Sequence, residues 1–175
     1  MRPFTSGLLA VILAASAVSA STQAACDEIS ATLSDRVWTQ HSSDFRSETR
    51  SYWSTALHDA KPACLVLPRS AEEVSSAVKV LNKYPDVEFA VKSGGHSPNK
   101  RHSSVQDGVL ISTRDMVGAT YDDETGIAHV KPGGEWNDVI GDLEERGVAI
   151  VGGRLGMFIF SPHVVLVWPS LTLLP

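Results

Sequence analysis

Between positions 60 and 151 the apolar residues switch between the two spacings a backbone can present to a core, two residues for a strand and about 3.6 for a helix. Leu65, Val66 and Leu67 form a short apolar run that stops at Pro68. Ser70-Ala71-Glu72-Glu73 follows with the spacing of a capping box, in which a hydroxyl and a carboxylate satisfy amides at a helix start. Val74, Ala77, Val78 and Leu81 then recur on one helical face, and Pro85 cannot continue that helix. Beyond the proline, Val87, Phe89 and Val91 alternate with Glu88, Ala90 and Lys92 as in a strand. The predicted unit is β-α-β, and it runs straight into Ser93-Gly94-Gly95-His96-Ser97.

A second pass repeats the grammar. Val109-Leu110-Ile111 reads as a strand, Asp122-Asp123-Glu124-Thr125-Gly126 as a turn, and Ile127 to Val130 as the strand returning from it. Pro132-Gly133-Gly134 breaks the chain before Trp136, Val139, Ile140 and Leu143 resume helical spacing. Gly147 is placed to end that helix, and Val148 to Val151 reads as a short buried strand leading into Gly152-Gly153-Arg154-Leu155-Gly156. Strands feeding helices predict a mixed α/β (α+β) layer fold in which two glycine-rich loops leave strand ends. Ligands usually sit at such loops.

Glycine-rich turns let a backbone approach a ligand closely, and successive N–H groups form a concavity suited to phosphate oxygens without any basic side chain. Neither loop has the G-x-G-x-x-G of a dinucleotide fold or the G-x-x-x-x-G-K of a P-loop, so spacing alone leaves open that the glycines only turn the chain. His96 and His102 lie six residues apart with no local Cys, Asp or Glu between them, a spacing that fits no standard ligand pair, and no metal is expected.

Length and composition narrow the classes. The chain has 175 residues, 43% hydrophobic and 20% charged, which allows one ordinary domain with a real core. A net charge of -5 displays no basic face, so nucleic acid is not an expected partner. Arg2 followed by the alanine-rich run from Leu8 to Ala20, shorter than the roughly 20 residues of a membrane span, predicts a secretory signal over residues 1–20. Val18-Ser19-Ala20 and Thr22-Gln23-Ala24 are the two candidate cleavage sites, and an uncleaved anchor is the rival reading. In a secreted protein Cys26 and Cys64 can pair, or remain two independent thiols. Asn82, Asn99 and Asn137 all lack a glycosylation sequon.

Four phrases taken together go further than spacing. They are Pro62-Ala63-Cys64-Leu65-Val66-Leu67-Pro68, Val91-Lys92-Ser93-Gly94-Gly95-His96-Ser97-Pro98-Asn99-Lys100, Val130-Lys131-Pro132-Gly133-Gly134-Glu135-Trp136 and Val151-Gly152-Gly153-Arg154-Leu155-Gly156. In this order they resemble the vanillyl-alcohol-oxidase or PCMH-type FAD-binding superfamily, particularly its berberine-bridge-enzyme-like fungal oxidoreductases, over about residues 26 to 156. The resemblance implies that Ser93, Gly94, Gly95, His96 and Ser97 wrap the FAD pyrophosphate through backbone amides. It implies that His96 bonds covalently to the flavin 8α-methyl carbon, a role open to a nucleophilic neutral imidazole; a merely packed His96 is the alternative. Gly152, Gly153 and Gly156 match a second cofactor loop. That loop holds Arg154 and Leu155 where some relatives carry a second flavin-linking cysteine, so attachment through His96 alone is expected. The motif around Cys64 also supports its pairing with Cys26.

The implied activity is that of a secreted FAD-dependent oxidoreductase, taking a hydride from an alcohol or sugar and passing electrons to O2. The expected organisation is a signal peptide over 1–20, an N-terminal helical segment over 21–59, a partial PCMH-type FAD-binding domain over 60–156 and an off-family apolar tail over 157–175. Pro162 and Pro169 in that tail argue against a membrane-spanning helix. No catalytic base can be named, because Tyr121, Asp122 and Asp123 read as a solvated hairpin tip. After Gly156 the sequence departs from the second FAD subdomain and substrate domain that the resemblance implies. The chain is therefore expected to be a truncated form, inactive as an oxidase as written and binding FAD weakly or not at all, with the covalent link through His96 and the alcohol or sugar substrate belonging to the full-length form. The alternative is a non-catalytic fragment or binding module.

Overall fold

In the computed structural model, which describes residues 20–150 and 167–169, the chain begins with a helix, α1, over residues 20–32. Next come β1 (Val37–Trp38), α2 (Ser43–Glu48), a 3-10 turn (Thr55–Leu57), β2 (Cys64–Val66), α3 (Ala71–Leu81), β3 (Phe89–Lys92) and β4 (Val109–Ser112). A second group contains β5 (Ala119–Asp122), β6 (Ile127–Val130), α4 (Trp136–Glu144), β7 (Val148–Ile150) and β8 (Val167–Pro169). The candidate signal run, Gly152, Gly153, Gly156 and most of the apolar tail lie outside the described residues.

The main sheet has the order β1-β2-β4-β3. β4 runs parallel to both β2 and β3, with Leu110 beside Leu65 on one side and Ala90 on the other. Every residue of β4 is buried, which is why Val109-Leu110-Ile111 shows no alternation: a central parallel strand has a core on each face. On one face Cys64, Val66, Val109 and Ile111 meet α1 through Ala25 and Ile29, and α3 through Ala77, Val80 and Leu81. On the other, Leu65, Leu67, Ala90 and Leu110 meet Phe45 of α2 and Val105.

β3 departs from the expectation its pattern raises. Alternation by itself would bury Phe89 and Val91, yet they are 46% and 51% exposed while Lys92 is 1% exposed. The reason is position: β3 is an edge strand, and the face carrying its Ala90 and Lys92 is the one covered by α2. The 21–59 segment holds a further element that helical spacing did not suggest, since β1 pairs antiparallel with β2. The tail also supplies one, with β8 pairing antiparallel to β7. Tyr121 is corrected as well. It belongs to β5 and packs, half-buried, with Trp136, Val139 and Leu143 of α4, whereas Asp122 caps the turn by accepting from the Glu124 and Thr125 amides.

Side-chain chemistry pins the N-terminal helix to this sheet. Cys26 and Cys64 form a disulfide between α1 and β2 with a sequence separation of 38. Glu28 accepts from Lys83 at 2.5 Å and from the Tyr84 hydroxyl at 2.9 Å, beyond the end of α3. Ser70 caps α3 by accepting from the Glu73 amide, but the Glu73 carboxylate returns to the Arg69 amide and to Arg36 rather than closing the box on Ser70.

Two outcomes follow from these ties. Closing a loop of this length stabilises the fold by about 4 kcal/mol on the chain-entropy model, so Cys26→Ser or Cys64→Ser should lower unfolding free energy by roughly that amount in denaturant titrations, and intact mass should rise by two hydrogens on reduction. The Lys83 and Tyr84 hydrogen bonds hold the Glu28 carboxyl below its ordinary 4.5. A depressed carboxyl gives stability that is present above its unfolded value and lost as pH falls through the folded one. Thermal melts between about pH 6 and pH 3 should therefore show an acid loss that is smaller in Glu28→Gln.

Candidate functional site

A cleft of about 740 Å3 opens at the carboxyl ends of the parallel strands β3 and β4. This is where an open α/β sheet leaves room for a ligand, and the volume lies within the ordinary range for small-molecule sites. Ser93, Gly94, Gly95, His96 and Ser97 all line it, so the glycine loop after β3 is one wall. Ala71 and Val74 of α3, Val91, Met116 and Pro132 give a largely apolar opposing surface.

The loop is tied to the second glycine turn. The Ser93 hydroxyl donates to the Pro132 carbonyl at 2.5 Å, and the Thr113 hydroxyl reaches the same oxygen at 3.3 Å. The Gly133 amide donates to the Met116 carbonyl at 2.8 Å. A Cβ on Gly133 would lie 1.7 Å from the Thr113 carbonyl oxygen, so Pro132-Gly133-Gly134 is a wedge against the segment after β4. Gly95 is constrained differently. Its φ is +66°, in the left-handed region, and a Cβ there would meet Tyr52 Cδ1 at 2.8 Å, Lys92 Cε at 2.9 Å and the Ser51 carbonyl at 3.1 Å. The backbone at Gly95 is buried against this floor, and the next residue, His96, is exposed in the cleft.

A strap from residues 51–59 clasps the outer part of the loop. Trp53 Nε1 donates to the Ser97 carbonyl at 3.3 Å, the Tyr52 hydroxyl to the Ser103 carbonyl at 2.9 Å, and Lys100 to Asp59 at 2.9 Å. Ser97 Oγ and His102 Nδ1 lie 3.2 Å apart, which brings a second histidine to the lining.

Under the loop lies a charged cluster that sequence reasoning missed. Lys92 Nζ is 2.5 Å from Glu48 Oε1, with both side chains 2% exposed. Ser112 Oγ donates to the same carboxylate oxygen at 2.7 Å, and Arg114 donates to Glu48 Oε2 at 3.2 Å and to Asp44 at 2.9 Å. The Lys92 ammonium also sits 4.6 Å from the Tyr52 ring centroid. Burial pulls the Lys92 ammonium below its ordinary value against the opposing pull of Glu48, and burial with the Glu48 charge pushes the Tyr52 phenol up. One signal was available: Lys92 shares strand parity with Ala90, so burying Ala90 against a helix also buries Lys92.

Among the described residues the lining contains two titratable side chains, His96 and His102, and neither lysine nor arginine. An anion here would be met by backbone N–H groups and hydroxyls, with fixed dipoles replacing charge. The apolar wall of Val74, Val91 and Met116 suits a flat ring system. These features fit a flavin dinucleotide. Among the described residues no group of three or more His, Cys, Asp or Glu could hold a metal ion. Of the residues singled out from sequence, Ser93 to Ser97 come together at one wall, Cys26 and Cys64 lie in the core behind, and Gly152, Gly153 and Gly156 lie outside the described residues.

The two glycines should respond unequally to a methyl group. Gly95→Ala combines a left-handed φ with a close floor and should cost about 1–3 kcal/mol of stability. Gly133→Ala meets a backbone carbonyl that cannot swing aside and should cost about 3 kcal/mol or more. Chemical denaturation of both variants against the parent checks the order.

Comparison with known proteins agrees with this geometry. A family model described as FAD binding domain matches residues 62–154, more than half of the 175. An uncharacterized FAD-linked oxidoreductase of Arthroderma benhamiae is 44% identical over 66% of this chain and 23% of its own length. An FAD-dependent monooxygenase of Emericella nidulans is 33% identical over 74% of this chain and 27% of its own. The chain thus spans about a quarter of the length of these relatives. Among solved structures, the carbohydrate oxidase from Microdochium nivale in complex with a substrate analogue superposes with a TM-score of 0.65 at 25% identity, covering 78% of this chain and 29% of that one. The 6-hydroxy-D-nicotine oxidase from Arthrobacter nicotinovorans shares the fold, with a TM-score of 0.61 at 24% identity over 71% and 26% of the two chains. Cleft, glycine loop and matched segment coincide, and the chain belongs to the FAD binding domain family.

Proposed function

We propose that this chain is the FAD-binding part of a secreted oxidoreductase and that it holds the cofactor at the Ser93–Ser97 wall, tethered through His96. The observation that carries the reading is the placement of that loop: its five residues line the cleft of about 740 Å3 at the carboxyl ends of β3 and β4, with His96 exposed to it. When bound, FAD supplies the hydride-accepting chemistry.

The chain's own contribution is binding and orientation. The loop offers amide donors to a pyrophosphate, and the Ser93 hydroxyl serves the loop's shape by bonding Pro132 rather than by facing outward. Val74, Val91 and Met116 exclude water from one side of the cleft. His96 is the nucleophilic residue of the loop, and its exposure leaves the imidazole accessible to a ring seated there. Gly152, Gly153 and Gly156 form the second cofactor loop in this proposal.

The substrate class is an alcohol or sugar, with O2 as the electron acceptor. Support comes from the names of solved relatives, among them a xylooligosaccharide oxidase from Myceliophthora thermophila at 27% identity and a TM-score of 0.63. The disulfide Cys26–Cys64 supports an oxidising compartment, hence secretion.

Expression of the full-length protein that contains this chain, followed by acid precipitation, tests the tether: yellow colour and flavin mass should remain with the polypeptide. In His96→Ala both should be lost, while any non-covalent FAD binding followed by fluorescence polarisation should change less than tenfold, about 1.4 kcal/mol. Covalent flavin surviving in His96→Ala would remove His96 from the assignment.

A further inference from the structure

Lys92 stands where the sheet hands over to the cofactor loop, as the last residue of β3. Its carbonyl oxygen accepts from the Thr113 amide at 2.9 Å, which fixes one end of the loop to the end of β4. Its ammonium turns beneath the loop, 2.5 Å from Glu48 Oε1 and 3.1 Å from the Glu48 carbonyl oxygen. Together with Tyr52 it makes the floor against which Gly95 rests, at 2.9 Å and 2.8 Å from the position a Cβ would take.

An aliphatic side chain could fill this volume without taking two charges out of water, so space filling does not explain an ion pair here. What the pair adds is direction. An ammonium surrounded by a carboxylate, a carbonyl oxygen and an aromatic face has one favourable position, and the Ser112 and Arg114 bonds give Glu48 one as well. We propose that Lys92 is a positioning residue for the cofactor loop: paired with Glu48 and laid under Tyr52, it holds the Gly94-Gly95-His96 backbone in the shape that receives the FAD pyrophosphate. This rests on the reading of Ser93–Ser97 as the pyrophosphate wall. Lys92 acts through Gly95 and does not itself line the cleft.

The test compares the full-length protein that contains this chain with its Lys92→Met/Glu48→Gln variant, which removes both charges and so avoids leaving one of them buried alone. Amide hydrogen exchange without cofactor is read at residues 94–97 and, as the internal control, at β4; FAD affinity is read by fluorescence polarisation. Loop exchange should rise about tenfold or more with β4 unchanged, and FAD should bind at least tenfold more weakly, each tenfold being about 1.4 kcal/mol. Ser112→Ala loosens Glu48 with a far smaller change of volume; it should shift both readouts in the same direction by about threefold, and it decides the matter if the double variant does not fold. Unchanged loop exchange overturns the positioning role, as does a rise shared equally by β4, which would mark a general loss of stability. A parent protein that binds no FAD while its loop still responds overturns the pyrophosphate reading instead.

Discussion

A charge can be buried only if its hydrogen-bonding capacity is met, and that requirement organises this molecule around Glu48. One carboxylate oxygen takes Lys92 and Ser112 and the other takes Arg114. The four groups come from α2, the end of β3, the end of β4 and the turn after it. Lys92 and Ser112 are register partners across β3 and β4. A slip of one residue would place a side chain of the opposite face under α2 and leave the carboxylate buried without its ammonium. The pairing of two short strands, which apolar contacts alone specify weakly, becomes unique.

The same geometry explains why the cleft lies at the sheet edge. Among the described residues β3 pairs only with β4, and α3 covers the strands behind it, leaving Val91 half-exposed on the open side. The apolar residue that a core would have taken is thereby available to a ligand. Beside it the chain turns sharply at Gly95, and the Pro132-Gly133-Gly134 turn closes the base of the cleft through Ser93 and Thr113. Two sequence motifs about forty residues apart share one carbonyl oxygen, that of Pro132.

Among the described residues the cleft offers dipoles rather than ions. The Lys92 ammonium points into the protein and is satisfied there, and the overall charge of -5 gives no long-range pull on an anion. In the proposed pyrophosphate site, backbone N–H groups held by buried contacts would need no reorganisation to receive a phosphate, so rigidity would take the place of charge. This is also why composition carried so little information about the ligand.

Local physics was legible in the sequence. The capping serine before α3, the proline after it, the unbroken apolar run of β4 and the hairpin turn at Asp122 are each decided by a few neighbouring residues, and the glycine-rich phrase after β3 marked the loop that lines the cleft. Alternation in β3 was legible too, but which face is buried is a property of its place at the edge and of the helix above it. Nor could spacing show that Glu48, 44 residues from Lys92 in sequence, would lie against it, because a contact of that separation exists only after the sheet has formed. β1 and β8 were hidden for a related reason: two or three residues carry no period, and they become strands only where β2 and β7 offer an edge to pair with. The sequence by itself determined the helices α3 and α4, the longer strands, the glycine turns and the family to which they belong. Tertiary structure alone decided which side chains form the floor under the loop, since charge burial is settled by neighbours in space and not by neighbours in the chain.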